Sequence, residues 1–222
     1  MTRFQLSQQI VCGLFVCSMM TAAAMADEQP LSPRIDELIT AGFAGQSPAP
    51  LADDAEFLRR VWLDLAGRIP NAEETRRFLD NSDPNKRSQM IDQLLAAPTY
   101  AERMQELFHV VLMERRGDNE KWKQYLRTAF EQNKPWDQIV RELLNPDSKD
   151  EARHGAAFFY AKRIEANGQN PIDHPGLTRD VGRLFLGADL QCAQCHNHLF
   201  IDDYKQRDFQ GLYSVYLNIA VK

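Results

Sequence analysis

Residues 53–70 read DDAEFLRRVWLDLAGRIP, and the placing of apolar side chains in this stretch decides the fold class. Phe57, Leu58, Val61, Trp62 and Leu65 recur at intervals of three and four, the spacing that lines one side of an α-helix. Asp53 offers an N-cap, while Gly67 and Pro70 stop the run. The same pattern repeats on both sides. Before it, Ser32-Pro33 opens a short helix through Ile35, Leu38 and Ile39, and the Gly- and Pro-rich stretch GFAGQSPAPL at 42–51 reads as a linker. After it, Asn71 and Glu74 make a capping pair for a helix ending near Leu79, and Asp83-Pro84 starts another carrying Met90, Ile91, Leu94 and Leu95.

The longest periodic run begins at Pro98, carries Tyr100, Met104, Leu107, Phe108 and Val111, and stops at Gly117. Helices around Trp122–Phe130 and Trp136–Leu144 follow, the second ended by Asn145-Pro146. The segment 145–175 is less regular, with Asn167-Gly168 and Asn170-Pro171 as turn signals around the aromatic patch Phe158-Phe159-Tyr160, and reads as a long loop. Leu177–Leu186 is again helical and ends at Gly187, and a last helix over Gln206–Leu217 carries Phe209, Leu212, Tyr213 and Tyr216. No stretch alternates as a strand would. The expectation is an all-α, irregular bundle of about seven to nine helices with one long loop late in the chain.

Between the last two helices lies Cys192-Ala193-Gln194-Cys195-His196. This spacing fits the attachment site of a c-type haem. Two thiols three positions apart can bond the two vinyl groups of one haem, and the adjoining imidazole then falls beneath the iron. Three other readings stand beside it. A thioredoxin-like redox pair should follow a strand in a βαβ unit, and none is present. A zinc site using His196 and His198 crowds four donors into seven residues. A simple disulfide needs nothing further.

The N-terminus carries Arg3, an apolar stretch IVCGLFVCSMM at 10–20, and Ala24-Met25-Ala26 before Asp27, which is the layout of a secretory leader cleaved near Ala26. The apolar core is too short to span a bilayer, and no other stretch reaches the roughly 18 apolar residues that spanning needs. The mature chain is then exported, to the periplasm or cell surface, with no membrane span. Of the four cysteines, Cys12 and Cys17 leave with the leader, so only Cys192 and Cys195 remain. That excludes a secreted disulfide framework. The sequence divides into the leader at 1–26, a short helix and linker at 27–52, and a helical domain at 53–222. With 26 basic against 31 acidic residues the net charge is −5, one more negative once Arg3 is lost, which argues against a nucleic-acid partner.

Two stretches carry a family resemblance. FLRRVWLDLAGRIPNAEETRRFLD and QLLAAPTYAERM within 53–103, followed by FLGADLQCAQCHNHLF at 185–200, resemble the planctomycete cytochrome c-like domain of unknown function. The similarity covers roughly residues 53–218. It implies an exported, largely helical domain with a c-type haem motif and no established reaction. Leu199 stands where that family usually has proline after the second histidine. Members commonly continue into another conserved domain, whereas this chain stops at Lys222, so it reads either as a stand-alone short version or as a fragment whose second domain or companion protein is a candidate partner.

Asp64 and Arg68 lie four apart at a helix end and are read as an ion pair rather than as catalytic groups, since no nucleophile and base come together in the sequence. For a haem tethered by Cys192 and Cys195 and ligated by His196, the distal ligand is open. No Met or His follows His198, which itself reads as a polar loop residue. On a helical wheel that sets Tyr100 at zero, Met104 falls at about 40° on the apolar side and His109 near 180° on the solvent side, with Met113 near 220°. Met104, and His154 in the irregular segment, are the candidates. The sequence thus predicts an exported haem c protein for electron transfer or redox sensing with an unidentified redox partner, not an enzyme by itself. The alternative is a helical interaction module, part of a longer protein, whose Cys192–Cys195 pair is a structural disulfide or metal site.

Overall fold

The computed structural model describes residues 31–43, 45–147, 149–164 and 173–217. The expected leader, 1–26, lies outside these residues. Among the described residues are ten α-helices, two short 3₁₀ turns and no strand. The chain divides into two units, residues 1–51 and 52–222. The first contains α1 (Leu31–Gly42), on which Arg34 pairs with Glu37 one turn on at 2.9 Å. The other nine helices belong to the second. No helix among the described residues is long and apolar enough to cross a membrane.

The second unit opens with α2 (Asp54–Ala66), whose start is fixed by Asp53 accepting the Glu56 N–H at 2.8 Å. Its end is fixed by Gly67 at φ 70°, a left-handed conformation that glycine adopts without cost. A reciprocal capping box opens α3 (Ala72–Leu79): Glu74 N–H donates to Asn71 Oδ1 at 2.9 Å, and Asn71 N–H donates to Glu74 Oε2 at 2.7 Å. With α4 (Lys86–Leu95) these helices bury Leu58, Trp62, Phe78 and Leu94 in one cluster, against which Met90 packs. Each such side chain contributes roughly 1.5–3 kcal/mol of burial. The expected pair of Asp64 and Arg68 does not form. Arg68 follows Gly67 and has left the helix, so the four-residue rule no longer applies to it. It donates to both Glu74 carboxylate oxygens at 2.9 and 2.8 Å and lies 4.2 Å from the centre of the Trp62 ring.

Four helices build the largest core: α5 (Pro98–Met113), α6 (Glu120–Glu131), α7 (Trp136–Leu144) and α8 (Ala157–Ile164). Leu112, Met113, Trp122, Leu126, Ile139, Leu143 and Phe159 meet there with almost no exposure. The face that α5 turns inward differs from the expected one. Ala101, Gln105, Leu112 and Met113 are buried, whereas Leu107 and Val111 remain exposed. Two apolar stripes run along this helix, and the inner one is interrupted by Gln105 and His109. His109 is half-buried because its Nδ1 accepts the indole N–H of buried Trp122 at 3.0 Å, so it is no surface residue.

The segment 145–175 holds more helix than its turn signals suggested. A 3₁₀ turn at Glu151–Ala156 leads into α8, and Phe159 and Tyr160 of the aromatic patch are buried by it. Residues 165–172 lie outside the described ones. Arg163 of α8 has a side chain only 1% exposed. It donates to the carbonyls of Leu112 at 2.6 Å and Phe159 at 3.0 Å, and to Asp180 at 2.9 Å, which closes the C-terminal end of α5 onto α8. Burial pulls its guanidinium down to about 10, against the Asp180 carboxylate, and leaves it charged at neutral pH.

Candidate functional site

The Cys192–His196 run sits between α9 (His174–Phe185) and α10 (Gln206–Tyr216). Beyond α9 the chain folds back, with Ala188 N–H donating to Gly182 carbonyl at 3.0 Å. A Cβ at residue 182 would lie 2.9 Å from the Ala188 oxygen, so only glycine permits this approach without a shift. Leu190 then enters a small core with Ala193 and Phe209, flanked by Leu212 and Tyr213.

Ala193 has no exposed surface. The middle of the motif is therefore its anchor, and burying the alanine turns the cysteines outward. Residues Cys192–Gln194 form a 3₁₀ turn, and the N–H groups of Cys195 and His196 both donate to the Cys192 carbonyl at 3.2 Å. The two thiols, three positions apart, and the imidazole that follows emerge from a single turn. Both cysteines are unbridged and exposed, as is His196. Arg179 of α9 donates to the Gln194 side chain and steadies the remaining motif residue.

His196 Nδ1 lies 2.7 Å from the carbonyl of Asn197. A carbonyl only accepts, so Nδ1 carries the proton and the neutral ring keeps its lone pair on Nε2. This is the arrangement in which a histidine is oriented by a backbone carbonyl and free to ligate a metal. His198 is the opposite case. Its Nδ1 accepts the N–H groups of Phe200 at 3.1 Å and Ile201 at 3.0 Å, while its own N–H donates to Tyr204 carbonyl at 2.8 Å. The lone pair is occupied, and this residue organises the loop.

Two residues that spacing did not reveal hold the motif, Gln206 at the start of α10 and Asn197 in the loop. Gln206 donates its side-chain Nε2 to Cys195 carbonyl at 2.9 Å, and its backbone N–H donates to Asn197 Oδ1 at 2.9 Å. They lie nine positions apart across a loop, a separation that no local pattern signals. The candidate distal ligands are placed elsewhere. Met104 belongs to α5, and His154 belongs to the 3₁₀ turn against α6, where it lines a cleft with Glu120, Lys121 and Tyr125. Among the described residues no three His, Cys, Asp or Glu side chains come together to hold a bare metal ion. Cys192, Cys195 and His196 share one exposed turn. Their chemistry, two accessible thiols and an imidazole with a free Nε2, fits the demands of a c-type haem.

A model of the PSCyt2 family, described as a protein of unknown function (DUF1549), matches residues 34–220. The chain belongs to this family. It is the family that the two signatures at 53–103 and 185–200 resembled. PSCyt2 membership covers every helix of the second unit, so the turn at Cys192–Gln194 and the α10 clamp lie inside the family domain. No curated protein and no solved structure is significantly similar to this PSCyt2 chain.

Proposed function

We propose that this PSCyt2 chain is an exported c-type haem-binding protein that transfers electrons or senses redox state. In this reading Cys192 and Cys195 tether the haem and His196 ligates its iron. The observation that carries it is the state of His196: its Nδ1 is committed to the Asn197 carbonyl and its Nε2 is free, one residue from an outward thiol. The leader-like residues 1–26 support export, where attachment of haem to thiols takes place.

Each residue has a distinct task. Ala193 anchors the turn in the Leu190–Phe209 core so that both sulfurs face outward. Asn197 presents the carbonyl that fixes the imidazole tautomer, and Gln206 holds the Cys195 carbonyl on one side of His196 and the Asn197 side-chain amide on the other. When bound, the haem would supply a one-electron iron couple whose potential follows from axial ligation and burial. A redox partner, in a second domain or a companion protein, completes the reading.

The test is covalent haem. The full chain, exported in a host with active c-type haem attachment, should show Soret absorbance that survives denaturation and a matching mass increase, and Cys192→Ala with Cys195→Ala should abolish both. A haem-free product with Cys192 and Cys195 joined in a disulfide overturns the proposal in favour of a helical interaction module.

A further inference from the structure

Leu199, Phe200 and Ile201 follow the motif, and they are 76%, 90% and 42% exposed. Single exposed apolar residues need no explanation, but three in succession on a pinned turn do. The turn is pinned by His198 Nδ1, which holds the N–H groups of Phe200 and Ile201, and by Tyr204 N–H on the Ile201 carbonyl at 3.2 Å. The His198 ring also meets Phe200 and Tyr204 edge-on, at 6.4 and 5.9 Å between centroids. The apolar side chains are therefore displayed by a built structure. Ordered exposure of this kind marks a surface that is covered when the protein works.

We infer that Leu199, Phe200 and Ile201 form the apolar wall against which the porphyrin of a haem held at Cys192, Cys195 and His196 rests. This inference rests on the proposed haem function. The occupant is argued from continuity. The turn starts two residues after His196, and Asn197 between them orients the His196 ring and bonds α10, so wall and ligand belong to one hydrogen-bonded loop. A porphyrin is a largely apolar disc, and outward thiols attach it at the surface, where it needs apolar side chains to leave water. His198 acts as the positioning residue of that wall, since its ring nitrogen is spent on the turn.

The experiment has two arms. In the first, the exported wild-type chain and Leu199→Ser/Phe200→Ser are compared for covalent haem. In the second, the full chain carrying Cys192→Ala and Cys195→Ala is titrated with ferric protoporphyrin IX, with the same serine pair added, with His196→Ala added, and with Val110→Ser at an exposed position of α5 as the control for non-specific adsorption. The serine pair should weaken binding roughly tenfold and shift the Soret band, while Val110→Ser changes neither. Because Leu199 and Phe200 are exposed, helical circular dichroism should stay constant. Equal affinity in the serine pair, with affinity still lost in His196→Ala, overturns the wall and leaves the ligation reading standing. A serine pair that dissolves a self-associated form in sedimentation, with porphyrin affinity unchanged, overturns it in favour of a second copy as the occupant. Absence of covalent haem in the wild-type chain overturns the function and this inference together.

Discussion

The buried indole of Trp122 donates its Nε1–H to His109 Nδ1 at 3.0 Å, across the contact between α6 and α5. The histidine is the acceptor that lets a fully enclosed tryptophan keep its polar group satisfied. His109→Leu should leave that N–H unpaired and cost about 1–3 kcal/mol, seen as a lower urea midpoint. Trp122→Phe combined with His109→Leu removes both partners, so the double variant should lose less than the two single losses added. Simple additivity would mean that the bond contributes nothing.

Glu74 predicts an acid-sensitive increment of stability. Hydrogen bonds from Arg68 hold its carboxyl down at about 2, opposed by desolvation and helped by the Asn71 N–H. A carboxylate depressed in the folded state stabilises above its ordinary value of 4.5, and that contribution is lost as pH falls through about 2. Arg68 is half exposed, so solvent screening reduces the contribution to about 1 kcal/mol. Glu74→Gln should lower the urea midpoint by a constant amount above pH 5, and the gap to wild type should narrow as pH drops towards 2. A gap that stays constant down to pH 2 would sink this account.

The capping box at Asn71 and Glu74 was legible because it is closed within four residues, and so was the left-handed stop at Gly67. The inward face of α5 was not. His109 reads as a surface residue until α6 brings the Trp122 indole to it, a partner thirteen positions away. Helix α8 was hidden by the turn signals at 167–171 and by aromatic residues that favour helices weakly; the burial of Phe159, Tyr160 and Ile164 with Arg163 is what makes it form. In the candidate site, the spacing of Cys192, Cys195 and His196 marked the candidate donors. The tautomer of His196 and the clamp from Gln206 depend on a loop closing on itself, which spacing does not encode.

Two glycines predict opposite signs for the same substitution. A Cβ on Gly155 would meet Lys121 carbonyl oxygen at 2.2 Å and Tyr125 Cβ at 2.6 Å, so Gly155→Ala must push the 3₁₀ turn away from α6. The expected cost is about 1–3 kcal/mol. Gly211, at an exposed position of α10, has nothing within 4 Å of such a Cβ, so Gly211→Ala should gain roughly 0.5–1 kcal/mol from helix propensity and lower unfolded-state entropy. Thermal unfolding separates them by direction alone.

Gln206 predicts a local effect without a global one. It bonds Cys195 through its side chain and Asn197 through its backbone, both at 2.9 Å and both exposed. Gln206→Ala removes the first bond and keeps the second, while Asn197→Ala removes the second and keeps the carbonyl that His196 uses. Neither touches Leu190, Ala193 or Phe209, which hold the turn from beneath. Hydrogen exchange at the His196 and His198 amides should therefore speed up roughly tenfold in either variant, with the urea midpoint unchanged, because opening of a surface loop is cheaper than unfolding of the core. If the midpoint falls by as much as the exchange rate implies, the loop belongs to the same cooperative unit as the helices, and Gln206 is a support of the fold rather than a clamp on the motif.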